Sequence, residues 1–154
     1  MIPKFRAWDK EFKEMVDIDE IHWFEDEFDF IGDGITFCRR ADEIELMQWT
    51  GLFDENGKEI FEGDVVRQVR TQPTTENEII TGVVTMLEGA WLLINDREQL
   101  ASYLWSETDT NKVVGNIYEN WRIWSVTDDE EKNRTLISYT PQRDNMAQMV
   151  FFER

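Results

Sequence analysis

Residues 46–66 read LMQWTGLFDENGKEIFEGDVV, and this stretch decides the fold class. Asn56-Gly57 lies between two apolar runs and is the strongest short hairpin signal in the chain. A type I′ turn needs positive φ at both central residues, which asparagine and glycine tolerate best. Leu46, Met47, Trp49 and Leu52 precede the turn, and Ile60 and Phe61 follow it. Glu62-Gly63-Asp64 marks a second turn, and Val65-Val66 opens an extended run towards Val69. A hairpin that feeds a further strand through a glycine turn predicts a mainly β chain, with small antiparallel sheet or barrel units built from hairpins.

Working outward, Lys4 to Trp8 alternates polar and apolar residues as a strand, with Pro3 at its start where a missing N–H is tolerated. Asp9-Lys10-Glu11 turns the chain, and Met15 to Asp19 resumes the alternation, giving a hairpin. From Ile21 to Ile31, aromatics interleave with carboxylates: Trp23, Phe24, Phe28 and Phe30 beside Glu25, Asp26, Glu27 and Asp29. Gly32-Asp33-Gly34 is a turn, and Ile35-Thr36-Phe37 extends again.

Past Val69, the polar Thr71 to Asn77 segment with Pro73 reads as a loop. Ile79 to Leu87 and Ala90 to Ile94 form a hairpin through Glu88-Gly89, with Gly82 marking a bulge or a close backbone approach. Asp96 and Gln99 have the spacing of a capping box, and Leu100, Tyr103 and Leu104 follow at helical intervals. This predicts one short helix over residues 97–105. Val113 to Asn120, VVGNIYEN, reads as a core strand entering a Gly-Asn turn. There Asn116 and Asn120 bond nearby backbone, and Tyr118 offers an apolar ring with a polar tip.

The opening IPKFRAWDKEFKEM, the central LMQWTGLFDENGKEIFEGDVV and the later VVGNIYEN, in that order, resemble the YopX family of bacteriophage and prophage proteins. The resemblance covers roughly residues 1–120 and implies a mainly β fold and a phage origin. It implies no established activity and supplies no catalytic residue. The chain departs from the family pattern at Trp121, where the family usually continues with proline. Residues 1–120 therefore read as one β domain with a possible subdivision near 62–64. Residues 121–154 read as a hairpin extension packed on it, with Trp121 to Val126 and Thr135 to Tyr139 as its arms and Gln148 to Phe152 as a last strand.

Charge sets the strongest constraint on partners. The net charge is −17, and residues 1–64 carry 19 acidic against 7 basic side chains, or −12 of that total. Such a surface repels phosphate backbones and anionic membranes, so direct nucleic-acid or membrane binding is disfavoured and a basic host protein is the expected partner. Side chains two apart on a strand lie roughly 6.8 Å from each other. DNA carries one charge per about 3.4 Å of axis on each strand, so a single acidic strand is a poor mimic of DNA and two adjacent ones come closer. Seven Trp and ten Phe supply a real core and argue against disorder. Cys38 is alone, which excludes a disulfide framework and reads as a small buried residue in a reducing cytoplasm. The opening MIPKFRAWDK lacks an apolar signal-peptide core, so a cytoplasmic location is expected.

Chemistry-bearing motifs are scarce. His22 has no nucleophile or second ligand at a useful spacing, and no serine elbow, Walker loop or dinucleotide fingerprint occurs. No cofactor and no catalytic residue is predicted. The expected role is that of a non-enzymatic accessory protein that binds a macromolecule, with Trp23, Trp49 and Trp121 as candidate aromatic anchors. Glu62, Asp64, Asn116 and Tyr118 are further candidate binding residues on turns. A second reading makes Glu62, Asp64 and one more acid a magnesium site of a hydrolase of nucleic acid or nucleotides, although turn chemistry accounts for the same residues. A third is a structural, homo-oligomeric part of a phage assembly, with the terminal hairpin supplying an exposed edge.

Overall fold

The computed structural model describes residues 3–71, 78–120 and the short strand at 150–151. The chain falls into two compact units, Met1–Trp49 and Thr50–Arg154.

The first unit begins with β1 (Phe5–Asp9) and β2 (Glu14–Asp17), an antiparallel pair with Ala7 opposite Val16. Asp9 makes the turn between them: its Oδ1 accepts the N–H of Glu11 at 3.0 Å and of Phe12 at 3.1 Å, and Lys13 closes it at φ 55°. β3 (Ile21–Phe24) and β4 (Glu27–Ile31) form a second hairpin, edged by β5 (Arg39–Arg40). A single 3-10 turn, Ala41–Glu43, leads into β6 (Ile44–Phe53), whose first half pairs with β1. Ala7, Ile31 and Ile44 are the buried centre, with Ile18, Ile21, Phe28, Phe37 and Leu46 packed around them.

Two expectations fail in this unit. Ile35-Thr36-Phe37 is a loop and not a strand, because Asp33 Oδ1 accepts the N–H groups of Ile35, Thr36 and Phe37 at 2.8, 2.8 and 3.0 Å. One side chain thereby takes the backbone donors that a sheet ladder would need. Cys38, expected to be buried, is exposed, since it lies just past this loop on the approach to β5.

The second unit takes up the far half of β6, which neighbours β7 (Glu59–Phe61). Five strands follow: β8 (Asp64–Val69), β9 (Ile79–Leu87), β10 (Ala90–Asn95), β11 (Leu100–Tyr103) and β12 (Thr110–Asn116). With β13 (Val150–Phe151) they make a half-barrel-like sheet in the order β12-β8-β9-β10-β11-β13. All neighbours are antiparallel except β13, which runs parallel to β11 with Val150 opposite Leu100. Ile60, Val66, Val84, Leu93 and Leu104 are the buried cluster, and Leu52, Trp91 and Val113 pack on it.

The expected helix over residues 97–105 is absent. Residues 96–99 form a turn, and Leu100–Tyr103 is β11, paired with β10 through Ile94 opposite Ala101. Asn95 caps this turn, its Oδ1 accepting the Glu98 N–H at 2.9 Å. Gln99, placed as the far end of a capping box, sits at φ 55° and donates its amide to the Asp96 carbonyl. A left-handed residue at that position stops a helix before its first full turn.

The loop after β6 also differs from the expected type I′ turn. Gly57 has φ 81°, but Asn56 is not among the positive-φ residues. The turn closes through Gly57 N–H to the Asp54 carbonyl at 3.0 Å, and Lys58 takes the chain into β7. This is the longer loop in which an ordinary turn is followed by a left-handed glycine. The two-residue turns with positive φ at both positions lie elsewhere, at Glu25-Asp26 (49° and 65°) and Glu88-Gly89 (51° and 81°). The arms expected at 121–126 and 135–139, and the loop at 72–77, lie outside the described residues.

Candidate functional site

In the first unit the β3–β4 hairpin carries the sequence's most acidic and aromatic run to the surface. Its tip, Glu25-Asp26, is flanked by Phe24 opposite Glu27, and Trp23 stands opposite Phe28. A register shift between His22 and Trp23 leaves Asp29 as an extra residue on β4. Trp23 and Phe24 are 62% and 66% exposed, values far above those of aromatics engaged in a core. The Trp23 ring meets Phe28 edge-on at 5.9 Å, which gives it a fixed seat. Below the tip, His22 stacks on Phe30 at 4.3 Å, and its Nε2 lies 3.2 Å from Glu20. The hairpin is thus braced at its base and apolar at its tip, with Glu25, Asp26 and Glu27 exposed around the rings.

The other predicted residues divide sharply. Trp49 is half-buried at the end of the first unit, its backbone N–H bonded to the Lys4 carbonyl at 2.8 Å, so it is less exposed than Trp23. In the second unit the structure brings Asp64 and Asn116 together as register partners of β8 and β12. Both are buried turn-makers. Asp64 Oδ2 accepts the Phe61 N–H at 2.8 Å. Asn116 Oδ1 accepts the N–H groups of Tyr118 at 3.0 Å and Glu119 at 2.8 Å. Gly63 ties the two turns to each other and to the sheet: its N–H reaches the Val84 carbonyl at 2.9 Å, and its carbonyl receives the Ile117 N–H at 3.0 Å. A Cβ on Gly115 would lie 2.7 Å from the Asn120 side chain, so the turn folds back tightly. Glu62 and Tyr118 are half-buried on these turns. The Asp64 carboxylate serves the backbone, and among the described residues no three His, Cys, Asp or Glu side chains gather to hold a metal ion. Trp121 lies outside the described residues.

One surface feature was not anticipated. A groove of about 550 Å³ in the second unit is lined by Leu52, Trp91, Tyr103, Trp105, Ser106 and Glu107, among others. Tyr103 is 50% exposed and Trp105 60%, while Leu104 between them is fully buried. β11 ends at Tyr103 and the chain bends at Leu104, leaving the two rings exposed on either side of a buried residue. Read at helical spacing, the same residues spread around a cylinder, which is why the groove stayed hidden.

The groove wall is held from beneath by Gln68, itself fully buried. Gln68 Nε2 donates to the Tyr103 carbonyl at 3.1 Å and to Asn111 Oδ1 at 3.0 Å, and its Oε1 accepts the Ser102 hydroxyl at 2.8 Å. Asn111 in turn donates to the Leu104 carbonyl at 2.8 Å. Leu104 N–H reaches the Trp91 carbonyl at 3.1 Å, which fixes one indole-bearing segment against the other. Ser106 Oγ accepts the N–H groups of Thr108 and Asp109 at 3.2 and 3.3 Å, so the segment beyond Trp105 is also tied down.

Comparison with known proteins now decides the family. The family model described as YopX protein matches residues 4–124. The chain belongs to the YopX family. Protein EF1440 from Enterococcus faecalis, solved by crystallography, is similar at 25% identity and a TM-score of 0.58, over 80% of this chain and 99% of that one. Protein yopX from Bacillus subtilis is similar at 15% identity and a TM-score of 0.56, over 81% of this chain and 98% of its own. These likenesses show a shared fold. No curated protein matches the chain. Within this YopX-family fold, the EGD and VVGNIYEN stretches form the turns at Gly63 and Asn116, tied to each other by the Ile117 N–H to Gly63 carbonyl bond and by the pairing of Asp64 with Asn116. No helix among the described residues is long and apolar enough to cross a membrane.

Proposed function

We propose that this chain is a non-enzymatic binding protein, acting in the cytoplasm of a phage-infected or lysogenic bacterium, that docks on a basic protein through the tip of its β3–β4 hairpin. The phage setting comes from the resemblance to the YopX family. The observation that carries the binding role is the pair Trp23 and Phe24, 62% and 66% exposed on a two-residue turn of Glu25 and Asp26. An exposed aromatic tip costs solubility unless something covers it, and surrounding carboxylates select a cationic cover. The carboxylates raise the encounter rate by long-range attraction, and the rings supply the short-range grip.

Capture from bacterial lysate with the immobilised chain tests this reading. The Trp23→Ala/Phe24→Ala double variant and an added-salt wash serve as the two comparisons. The expected result is a basic protein held by the wild type, released by salt and not held by the variant. Equal recovery on both baits, unaffected by salt, contradicts it.

A further inference from the structure

We infer that the partner joins the β3-β4-β5 sheet as an added strand, its main chain bonded along the outer edge of β3. This rests on the hairpin reading and names the segment that the hairpin takes. That segment is an extended run about as long as β3, uncharged in the middle and basic at both ends.

Among the described residues β3 pairs with β4 alone, so its other side is a sheet edge. The Gly32 N–H reaches the Glu20 carbonyl at 3.0 Å, which places the backbone groups of Glu20 on the β4 side. Those groups alternate in direction along a strand, so His22 and Phe24 also face β4. The N–H and C=O of Ile21 and Trp23 therefore point outward. The register agrees, since Phe24 opposite Glu27 closes the two-residue turn. Asp29, the extra residue, lies on β4 and leaves the alternation of β3 unbroken.

Proteins guard such edges with charge, proline or a covering loop. β2 has Glu14 and Asp17 at its ends, and β5 is Arg39-Arg40. β12 is covered by the loop after β6, through the Glu55 N–H on the Asn111 carbonyl at 2.8 Å and Asp54 on the Val113 N–H. β3 is Ile21-His22-Trp23-Phe24, with no proline, lysine or carboxylate within it, and both of its last two rings are exposed.

Charge selects what adds to this edge. Asp19 and Glu20 precede the strand, and Glu25 and Asp26 follow it, all four exposed. A second copy pairing edge to edge, parallel or antiparallel, would set these carboxylates against their own kind. A strand with basic residues at both ends meets opposite charge at both. Trp23 and Phe24, adjacent on the strand, point to opposite faces, so one ring is available on each face to β-branched residues of the incoming strand.

The test follows amide exchange with solvent by NMR in the ¹⁵N-labelled full chain. The probe is the peptide acetyl-Lys-Arg-Val-Thr-Val-Thr-Arg-Lys-amide. Two further peptides carry backbone N-methyl groups, one on both valines and the other on both threonines. The unmodified peptide should slow exchange at Ile21 and Trp23 by roughly tenfold, the scale of one net hydrogen bond, and leave His22 and Phe24 little changed. One methylation pattern should weaken binding by roughly tenfold or more, because it removes the donors that face β3. The other should bind nearly as well as the parent. Glutamine in place of the four basic residues should weaken binding by roughly tenfold, as several exposed ion pairs allow.

Equal effects of the two methylation patterns would overturn the inference, as would unchanged exchange at Ile21 and Trp23. A dimer of the chain alone with those two amides protected would overturn the choice of occupant. Failure here is separable from failure of the hairpin reading. Salt-sensitive capture of a basic protein, with Ile21 and Trp23 still exchanging freely in the complex, would sink strand addition and leave the docking tip standing.

Discussion

Asp54 Oδ2 accepts the backbone N–H of Val113 at 3.0 Å, 59 residues further along the chain. The other oxygen of the same carboxylate accepts the N–H groups of Asn56 and Lys58, both at 2.9 Å. A residue that reads as part of a hairpin loop therefore also pins β12, and with it the turn at Asn116, to the loop that follows β6. Replacing it by alanine strands three backbone donors at a buried site. Asp54→Ala should cost about 3 kcal/mol, the scale of hydrogen bonds to a charged group, and urea denaturation would show it directly.

The same carboxylate gives the protein an acid limit. Burial pushes the Asp54 carboxyl up, but the N–H groups of Val113, Lys58 and Asn56 together hold it below its ordinary value. Asp9 behaves alike: burial raises it, and the Phe12 N–H, the Arg39 guanidinium at 2.7 Å and the Glu11 N–H bring it down. A depressed folded pKa means that the contribution is complete above the unfolded value of about 3.9 and is lost as the pH falls through the folded value. Urea midpoints should hold steady from neutral pH to about pH 5 and then drop on further acidification. Asp54→Ala should show a smaller drop than the wild type. An identical acid profile would remove Asp54 from the explanation.

Gln68 holds the groove wall, and its removal should be felt there first. Gln68→Leu keeps most of the volume but leaves the Ser102 hydroxyl and the Tyr103 carbonyl without the amide that now serves them. A loss of about 2–3 kcal/mol is expected for buried groups deprived of partners. Amide exchange over residues 102–109 should quicken before the rest of the sheet does. Uniform quickening across β8 to β10 would instead place Gln68 in the general core.

Gly82 and Gly57 separate two reasons for glycine. A Cβ on Gly82 would lie 3.0 Å from the Ile94 nitrogen and 3.1 Å from Leu93, so the close approach expected from the sequence is what this glycine permits. Gly82→Ala should cost about 1–3 kcal/mol through overpacking against β10. Gly57 has open space around it and φ +81°, so Gly57→Ala should cost roughly 1–2 kcal/mol through backbone conformation alone. Gly57→Asn should recover part of that loss, whereas Gly82→Asn should be worse than alanine. Thermal denaturation of the four variants distinguishes them.

Much of the strand plan was legible because period-2 alternation survives where one face is buried. Ile79 to Leu87 was read with the bounds it has, and Ala90 to Ile94 with one residue missing. Reading failed where side chains replace the ladder: Asp33 turns Ile35-Thr36-Phe37 into a loop, and Asn95 with Gln99 turns an apparent helix start into a hairpin. The Glu25-Asp26 turn carries no glycine or asparagine, so nothing local separated β3 from β4 in a continuous acidic and aromatic run. The acidic, aromatic character of the hairpin was visible in composition, and its tip was not. The groove was invisible for a different reason, since Leu52 of β6, Trp91 of β10 and Trp105 past the end of β11 are far apart in the chain and belong to different sheets or to none. Asp64 and Asn116, read as binding candidates because polar turn residues often carry function, are buried and accept backbone N–H groups of their own turns.

The central claim is that Trp23 and Phe24 form a docking tip and not a structural seat. Both are exposed and Trp23 has one edge contact, with Phe28, so their double replacement by alanine should change stability by no more than about 1.5 kcal/mol. The decisive measurement is quantitative capture from lysate on wild-type and double-variant chains, at low and at raised salt, with the stability of both baits checked in parallel. The account predicts two folded baits, a basic protein enriched on the wild type alone, and its release by salt. A folded variant that captures the same protein to the same extent would contradict it.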